Sequence, residues 1–432
     1  MRGLSCLVLV TAVAASVGCS SSSPVRSAER GDLVALKSDI LARHKAGSLD
    51  NGEAAQIARA VAEREVRTTT DRTAALGRVR DVRACANELD DVLEDRSRTH
   101  DDAGAEAALA RLDLGKLDAD DARASFGDKD DAWRAVGARG LVRPSEDHAA
   151  RLRAMVDPSP KVRRAAMRAA AEAKDPSEVD ALAEAARLDP EGIVKTEAVR
   201  ALAEIGGEPT AARLRDLWTS GDDAIREDIA SAWSRPAIFP HGGREALRVL
   251  LASEHGPGAI TAAWMASRSQ DAELRASALG LLARTILRGS RRDRLHAMGM
   301  APIADQEIVD ALRKSAREED VEVQVSAWSR LLESAPDKAD AVKALETIAG
   351  QNEYGKLASR ARYALAEAGD LRIQAWIEKD LDSPEPTTRT SAADALAALG
   401  RSARGAPLLA DRDPAVRTRV ACTLLAAARV HR

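Results

Sequence analysis

The side chains best suited to metal binding or acid–base catalysis in this 432-residue sequence are seven scattered histidines. His241 and His255 bracket one apolar stretch and would suit zinc, but no cysteine or third ligand stands at a fitting spacing. Two Asp-rich runs, at 118–121 and 128–131, offer oxygen ligands for calcium without the EF-hand order of ligands. Capping of helix starts explains these aspartates more simply, so we expect no metal site.

The sequence also lacks the motifs that mark common catalytic sites. It contains no Gly-rich phosphate loop, no Cys-x-x-Cys, no His-Glu-x-x-His and no Gly-x-Ser-x-Gly. Its net charge of −4 gives no bulk attraction to nucleic acid or to anionic lipid. We therefore expect no catalytic residue, no cofactor, no nucleic-acid partner and no small-molecule substrate.

Two of the four cysteines lie far apart in the sequence. Cys85 and Cys422 both occupy apolar helical positions near opposite ends of the chain. A disulfide needs Cα atoms within about 7 Å, which an elongated array would not provide. We expect both to be small buried residues with free thiols.

The N-terminus carries an apolar run from Leu4 to Val17, preceded by Arg2 and too short to span a bilayer comfortably. Gly18-Cys19 and a serine-rich stretch follow it. This start resembles a bacterial lipoprotein signal, although Ser16 stands where that pattern usually has leucine. The resemblance implies cleavage before Cys19 and a diacylglyceryl group on its sulfur. An ordinary secretory signal cleaved near the same place is the alternative.

These features divide the N-terminal part into a signal peptide at 1–18, a Ser-rich flexible tether at 19–30 and a helical region at 31–130. The lipoprotein resemblance implies export and a lipid anchor in the bacterial envelope, on the periplasmic or surface side of the outer membrane. Within the helical region, apolar residues from Ala75 to Leu93 alternate spacings of four and three, which predicts a coiled-coil seam. We expect it to fold back on the preceding helices. Self-association through 71–96 is the alternative.

One short unit recurs through residues 131–432. Its clearest copy is an amphipathic helix from Val194 to Ile205, which Gly206-Gly207 ends because glycine tolerates the left-handed backbone of a helix end. In every copy, residues four and eight positions after the start are small or apolar. The copies start at Trp133, Val162, Val194, Ile225, Leu274, Val323, Leu357, Thr388 and Val416. Because strand patterns are nearly absent, we expect an all-α chain.

The pattern Asp-Pro-x-x-x-Val-Arg-x-x-Ala-x-x-Ala-Leu resembles the HEAT repeat, particularly the short HEAT-like subtype of phycobilin lyases. The resemblance implies a right-handed α-solenoid of HEAT-like helix pairs over 131–432, preceded by the helical N-terminal segment. It also implies a structural ladder in which loop acids bond to a column of basic residues in neighbouring repeats. The ladder positions are Asp157, Arg163, Asp189, Lys195, Asp222, Arg226, Asp271, Arg275, Arg389, Asp411 and Arg417.

Two spacings of 49 residues between successive starts, from Ile225 to Leu274 and from there to Val323, predict insertions at 236–257 and 288–303. Insertions of this kind fall in loops on one face of a solenoid, often a binding face. The second one concentrates basic residues that would pair with carboxylates or phosphates. These candidate partner-binding residues are Arg288, Arg291, Arg292 and Arg294.

A long array of helix pairs with no catalytic constellation is typical of a protein-binding scaffold. We therefore expect a non-catalytic HEAT-repeat lipoprotein that binds an unknown protein of the envelope and reaches the membrane through its N-terminal lipid. This expectation rests on analogy at the level of the fold. An accessory or regulatory subunit of an enzyme, as in the lyase-type proteins, and a self-associating structural protein of the envelope are the alternatives.

Overall fold

A computed structural model describes residues 23–219, 225–253 and 256–430. In these ranges the regular secondary structure consists of α-helices and short 3₁₀ helices with no strand, which confirms the predicted α-solenoid class. Cys19, the signal segment, Asp222 and His255 lie outside the described residues. The helices are α1 (Pro24–Arg30), α2 (Leu33–Lys45), α3 (Asn51–Thr68), α4 (Arg72–Asp81), α5 (Asp90–Ser97), α6 (Asp102–Asp113), α7 (Ala119–Arg123), α8 (Asp131–Arg139), α9 (His148–Met155), α10 (Pro160–Ala173), α11 (Val179–Leu188), α12 (Gly192–Ile205), α13 (Gly207–Thr219), α14 (Arg226–Trp233), α15 (Gly243–Ser253), α16 (Pro257–Ala266), α17 (Ala272–Arg288), α18 (Arg291–Met300), α19 (Gln306–Ser315), α20 (Val321–Leu331), α21 (Lys338–Ala349), α22 (Lys356–Glu367), α23 (Gln374–Asp380), α24 (Pro386–Ala398) and α25 (Pro414–Val430).

Local sequence signals fix the ends of the clearest repeat. Helix α12 ends before Gly206, whose φ of 72° is a left-handed value that favours glycine, and Gly207 at φ 84° opens α13. The face predicted to be apolar is buried, with Val194 and Ala198 both fully shielded from solvent. Burial of this face against the neighbouring helices is what holds each unit in the array.

The helices of the array pack in two layers. The inner layer is a continuous series in which each helix contacts the next, from α8 through α10, α12, α14, α16, α18, α20 and α22 to α24 and α25. The intervening helices, α9, α11, α13, α15, α17, α19, α21 and α23, form the outer layer. One continuous apolar cluster runs between the layers, from Ala135 to Leu396.

This packing corrects the expected register between Ile225 and Val323. The segments 236–257 and 288–303 are not insertions, because they contain α15 and α18, which pack as ordinary members of the outer and inner layers. Helix α17, which begins near Leu274, belongs to the outer layer, where it contacts α15 and α19. The two spacings of 49 residues therefore hold three helix pairs. The predicted repeat start at Leu274 was wrong, because it lies in an outer-layer helix whereas the neighbouring starts lie in inner-layer helices.

The N-terminal helices join the two ends of the array. At one end α6 packs on α8, and at the other α3 packs along α25. A second apolar cluster, which includes Ile57 and Val61 of α3 with Val420 and Leu424 of α25, fills the latter contact. The chain consequently forms a closed ring in which residues 24–113 are the closing segment.

A disulfide between Cys85 and Cys422 crosses this closure, with 5.3 Å between their Cα atoms and 337 positions between them in the sequence. The expectation of two free thiols was therefore wrong. It assumed an elongated array with separated ends, whereas ring closure brings the first and last helices into contact.

The predicted coiled coil is also absent as a continuous helix. Residues 72–97 form α4, a 3₁₀ helix over Arg83–Leu89 and α5, with a break in helical geometry at Cys85. The apolar seam from Ala75 to Leu93 is nevertheless buried, because it packs inside the chain against α6 and α25. Cys85, the residue at this break, is the one that forms the disulfide with Cys422.

Candidate functional site on the inner face of the ring

The basic column of the inner layer binds the loop acids of the following repeat. Arg163 of α10 donates to both carboxylate oxygens of Asp189, at 2.7 and 2.9 Å, and also to the backbone oxygens of Asp157 and Pro158. Arg134 contacts Asp157 in the same way at 3.1 Å. Arg389 and Asp411 repeat the arrangement at 2.7 and 2.9 Å near the other end of the array.

These pairs shift the pKa values of the groups that they join. Burial acts to raise the pKa of the Asp189 carboxyl, but the Arg163 guanidinium and the backbone N–H of Glu191 bring it below its usual range. Asp189 in turn raises the pKa of Arg163. Since both side chains are largely buried, the pair holds one repeat against the next.

The remaining ladder positions differ from one another. Arg226 lies over the ring of Trp218, 5.1 Å from its centroid. Arg275 donates to the backbone oxygen of Ser269 at 3.0 Å. The Asp271 carboxylate accepts instead from Arg244 of the outer layer. Lys195 lies partly buried in α12.

Arg417 extends the ladder across the ring closure. Its guanidinium donates to Oε1 of Glu65 in α3, at 2.8 and 2.5 Å, and to the backbone oxygen of Asp411. Both side chains are only 8% exposed. The last arginine of the ladder therefore pairs with a carboxylate of the closing segment instead of one from another repeat.

A Ser–His–acid grouping occurs outside this ladder. His148 Nδ1 lies 3.0 Å from Glu178 Oε1, 3.3 Å from Ser177 Oγ and 3.5 Å from Asp175 Oδ2. A catalytic relay needs the hydroxyl and the acid on opposite nitrogens of the imidazole, whereas here all three face the same one. Ser177 Oγ donates to Asp175 at 2.6 Å, so it is not activated as a nucleophile.

The same cluster is also unsuited to a metal ion. Arg151, fully buried, donates to Glu178 at 2.8 Å and lies 3.4 Å from Asp175, so a guanidinium already contacts both carboxylates and places a positive charge where a metal ion would bind. Burial raises the pKa of the Glu178 carboxyl, which weakens it further as a ligand. The cluster ties α9 to the start of α11, and Arg151 also binds the backbone oxygens of Leu141 and Pro144.

The aspartates singled out in the sequence act mainly as helix caps. Asp118 accepts from the backbone N–H of Asp120 at the start of α7, and Asp130 accepts from that of Ala132 at the start of α8. Asp102, Asp130 and Asp131 approach one another, but Lys161 Nζ lies 3.1 Å from Asp102 and 3.3 Å from Asp131. His241 ends a 3₁₀ helix, and its proposed partner His255 lies outside the described residues.

The four arginines of the predicted binding loop do not form one cluster. Arg294 points inward, donates to the backbone oxygen of Ile286 and to Glu318, and is only 14% exposed. Arg291 pairs with Asp320 at 2.8 Å. Arg288 and Arg292 are exposed. Arg291 is likewise exposed despite its ion pair, so three of the four arginines face solvent and Arg294 does not.

The main candidate site is a cavity of about 690 Å³ on the inner face, where the closing segment meets the first three repeats. Helices α4, α6, α8, α10 and α12 line it, together with Arg83 of the 3₁₀ helix. Apolar positions on its wall include Leu76, Leu109 and Ile193. Its basic side chains are Arg80, Arg83, Arg139, Lys161, Arg164, Arg168 and Arg200, and its acidic ones are Asp102, Glu106, Glu191 and Glu197.

Three arginines share one carboxylate at the edge of this cavity. Asp113, at the end of α6, is contacted by Arg83, by Arg139 at 3.4 Å and by Arg168 at 3.1 Å. Arg164 is paired with Glu197 at 3.1 Å, and the largely exposed Arg200 reaches out to Asp228. Positive charge therefore exceeds negative charge here, in a chain whose overall balance is slightly acidic.

Sequence reasoning missed this site because the ring closure builds it. The helical spacing of Lys161, Arg164 and Arg168 on one face of α10 was a visible signal. No signal in the sequence indicated Arg80 and Arg83, because they reach the cavity only through contacts between distant parts of the chain.

Comparison with known proteins gives a partial match. Residues 148–234, from α9 to α14, match the family model for HEAT repeats. No curated protein matches the chain. No helix within the described ranges is long and apolar enough to cross a membrane.

Several solved structures are similar at low identity. An engineered protein is 20% identical, with 94% of this chain and 99% of that chain covered and a TM-score of 0.25. UNC-45 from Drosophila melanogaster is 14% identical, with 93% and 72% covered and a TM-score of 0.32. A mutant of Kap121p is 12% identical, with 92% and 47% covered and a TM-score of 0.28.

Proposed function

We propose that this chain is an exported, lipid-anchored and non-catalytic scaffold that binds a protein of the bacterial envelope on the inner face of its ring. The observation that carries the proposal is the closed ring with a charged cavity on its inner face. An open solenoid changes its curvature easily because each repeat contacts only its neighbours. A closed ring holds its inner surface in one shape, and such preorganisation favours binding.

The geometry of the polar side chains supports a non-catalytic role. The Ser–His–acid grouping at His148 has all its partners on a single ring nitrogen, and the ladder arginines Arg163, Arg389 and Arg417 are bound to buried carboxylates. Self-association through 71–96 is disfavoured because the apolar seam is buried within the chain.

Export is supported by the disulfide as well as by the sequence of the first residues. Bridges such as Cys85–Cys422 persist in oxidising compartments, which include the bacterial periplasm and cell surface. The lipid anchor is a proposal from Gly18-Cys19. We expect Cys19→Ala to leave an uncleaved precursor, because lipid attachment precedes cleavage by the lipoprotein peptidase. A soluble, normally cleaved product from this variant would contradict the anchor and favour an ordinary secretory signal.

Binding on the inner face is tested with a photo-crosslinking residue placed at single exposed positions in cells that produce the full chain. Ile193 and Arg200 report the inner face, and Glu184 and Arg213 of the outer layer are the matched controls. We expect one discrete crosslinked protein from both inner positions and none from the outer pair. Crosslinks from the outer positions alone would place the binding surface on the outer layer of helices. The absence of a crosslink at all four positions would contradict the proposed scaffold function.

A further inference from the structure

We propose that the inner cavity binds an acidic peptide segment of the partner protein, in which aspartate or glutamate residues flank an apolar side chain. This inference rests on the scaffold function proposed above and names the chemistry of its partner. The carboxylates would pair with Arg80, Arg168 and Arg200, and the apolar side chain would pack on Ile193.

The cavity offers guanidinium groups that are available to a ligand. Arg80 is 61% exposed, and its nearest carboxylate, Glu106, is 3.8 Å away and already lies 2.8 Å from Arg83. Arg168 shares Asp113 with two other arginines. Each of these groups has donors left over for a further carboxylate, and a planar guanidinium fits a carboxylate with two parallel hydrogen bonds.

Apolar surface lies beside these charges on the cavity wall. Ile193, in the first turn of α12, is a large aliphatic side chain that is 52% exposed on the cavity wall. Leu76 and Leu109 line the same cavity from the closing segment. An apolar side chain of the partner would remove this surface from water, which a purely polyanionic ligand would not do.

Acidic and basic side chains are interspersed along the cavity wall. Glu197 of α12 pairs with Arg164 of α10 and stands three positions before Arg200 in the same helix, and Glu191 stands at the start of α12. A nucleic acid carries a charge at every phosphate and would meet these carboxylates as well as the arginines. A peptide with separated carboxylates can place neutral residues opposite them. The pattern therefore favours an acidic peptide over a nucleic acid.

The test measures binding of a fluorescently labelled peptide built of glutamate, leucine and serine to the full chain, by fluorescence anisotropy. A peptide with lysine in place of each glutamate is the matched probe, and inorganic phosphate alone is the competitor. We expect the glutamate peptide to bind, the lysine peptide not to bind, and the affinity to fall as salt screens the exposed charges. Equal binding of both peptides, or complete displacement by phosphate at the same low concentration as unlabelled peptide, would refute an acidic-peptide site.

The triple variant Arg80→Gln, Arg168→Gln, Arg200→Gln should weaken peptide binding by about 10-fold or more. Its melting temperature should change little, because all three side chains are partly or largely exposed. The control triple variant replaces two exposed arginines of the outer layer and one in the 3₁₀ helix just before α23, and it changes the net charge equally, through Arg187→Gln, Arg248→Gln and Arg372→Gln. Unchanged affinity in the first variant, or an equal loss in the control, would overturn the proposal.

The two proposals fail in different ways. If Ile193 and Arg200 crosslink a partner in cells but the glutamate peptide does not bind, the scaffold function stands and the acidic-peptide inference falls. If the peptide binds the cavity in a manner that depends on the three arginines while no inner position crosslinks a protein, the cavity chemistry stands and the scaffold function falls.

Discussion

The disulfide at the ring closure should contribute measurably to stability. Reduction of Cys85–Cys422, or the double substitution Cys85→Ala and Cys422→Ala, removes the covalent link without removing the surrounding contacts. The apolar cluster between α3 and α25 and the Arg417–Glu65 ion pair remain in place. We therefore expect the reduced chain to keep its fold but to release the closing segment more easily.

The magnitude follows from the size of the loop that the bridge closes. Chain entropy for a separation of 337 residues gives about 5–6 kcal/mol as an upper value. Measured effects are commonly smaller, and we expect a loss of about 3–5 kcal/mol. Because a repeat array does not unfold as one two-state unit, the loss should concentrate in the unfolding of the closing segment. For a unit of the size of the closing segment, the corresponding fall in the melting midpoint is about 15–25 °C.

The assay compares calorimetric unfolding and amide hydrogen exchange in α3 and α25 with and without reductant. The double-alanine variant is the control, since it should unfold at the lower temperature and ignore the reductant. Alkylation in denaturant should modify two more thiols after reduction than before. If both cysteines of the wild-type chain are alkylated without reduction, or if reduction leaves the exchange of α3 unchanged, the reasoning about closure is refuted.

Two further predictions concern packing and charge within the array. Ala361 is fully buried on α22, so Ala361→Leu should lower the free energy of unfolding by about 1–3 kcal/mol through overpacking. The control Ala339→Leu, at an exposed position of α21, should change it by no more than about 0.5 kcal/mol in urea unfolding. Equal midpoints for the two variants would contradict the assigned burial. Asp189→Asn should cost about 2 kcal/mol at neutral pH by breaking the pair with Arg163. Because the folded pKa of Asp189 is lowered, this stabilisation is fully present above the unfolded value of about 3.9 and is lost as pH falls through the folded pKa. The difference between wild type and variant should therefore shrink below about pH 4, and a difference independent of pH would argue against the ion pair.

The sequence predicted those parts of the fold that depend on near neighbours. The end of α12 at Gly206 follows from backbone freedom at one residue, and the contact between Arg163 and Asp189 lies within one repeat length. Burial of Val194 and Ala198 likewise follows from helical spacing alone.

The parts that escaped prediction depend on contacts between distant segments. The seam from Ala75 to Leu93 satisfies coiled-coil spacing, yet three short helical elements bury the same residues equally well. The helix at Leu274 fits the repeat pattern in either layer, because outer and inner helices are both amphipathic. The pairing of Cys85 with Cys422 and of Glu65 with Arg417 has no local sequence signal.

Because the N-terminal segment closes the ring, the chain can complete its fold only after its last helix has been synthesised. Helix α3 is made early, but α25, on which it packs, is made more than 300 residues later. At about 5–20 residues per second, the ribosome takes roughly 20–70 s to supply that surface. During this interval the apolar residues of α3 have no native partner from the end of the array, and they are exposed to aggregation or to a chaperone. Only chains in which α3 has not aggregated by the time α25 is made can therefore close the ring. Truncation of α25 should leave the N-terminal helices without their packing partner and the ring open.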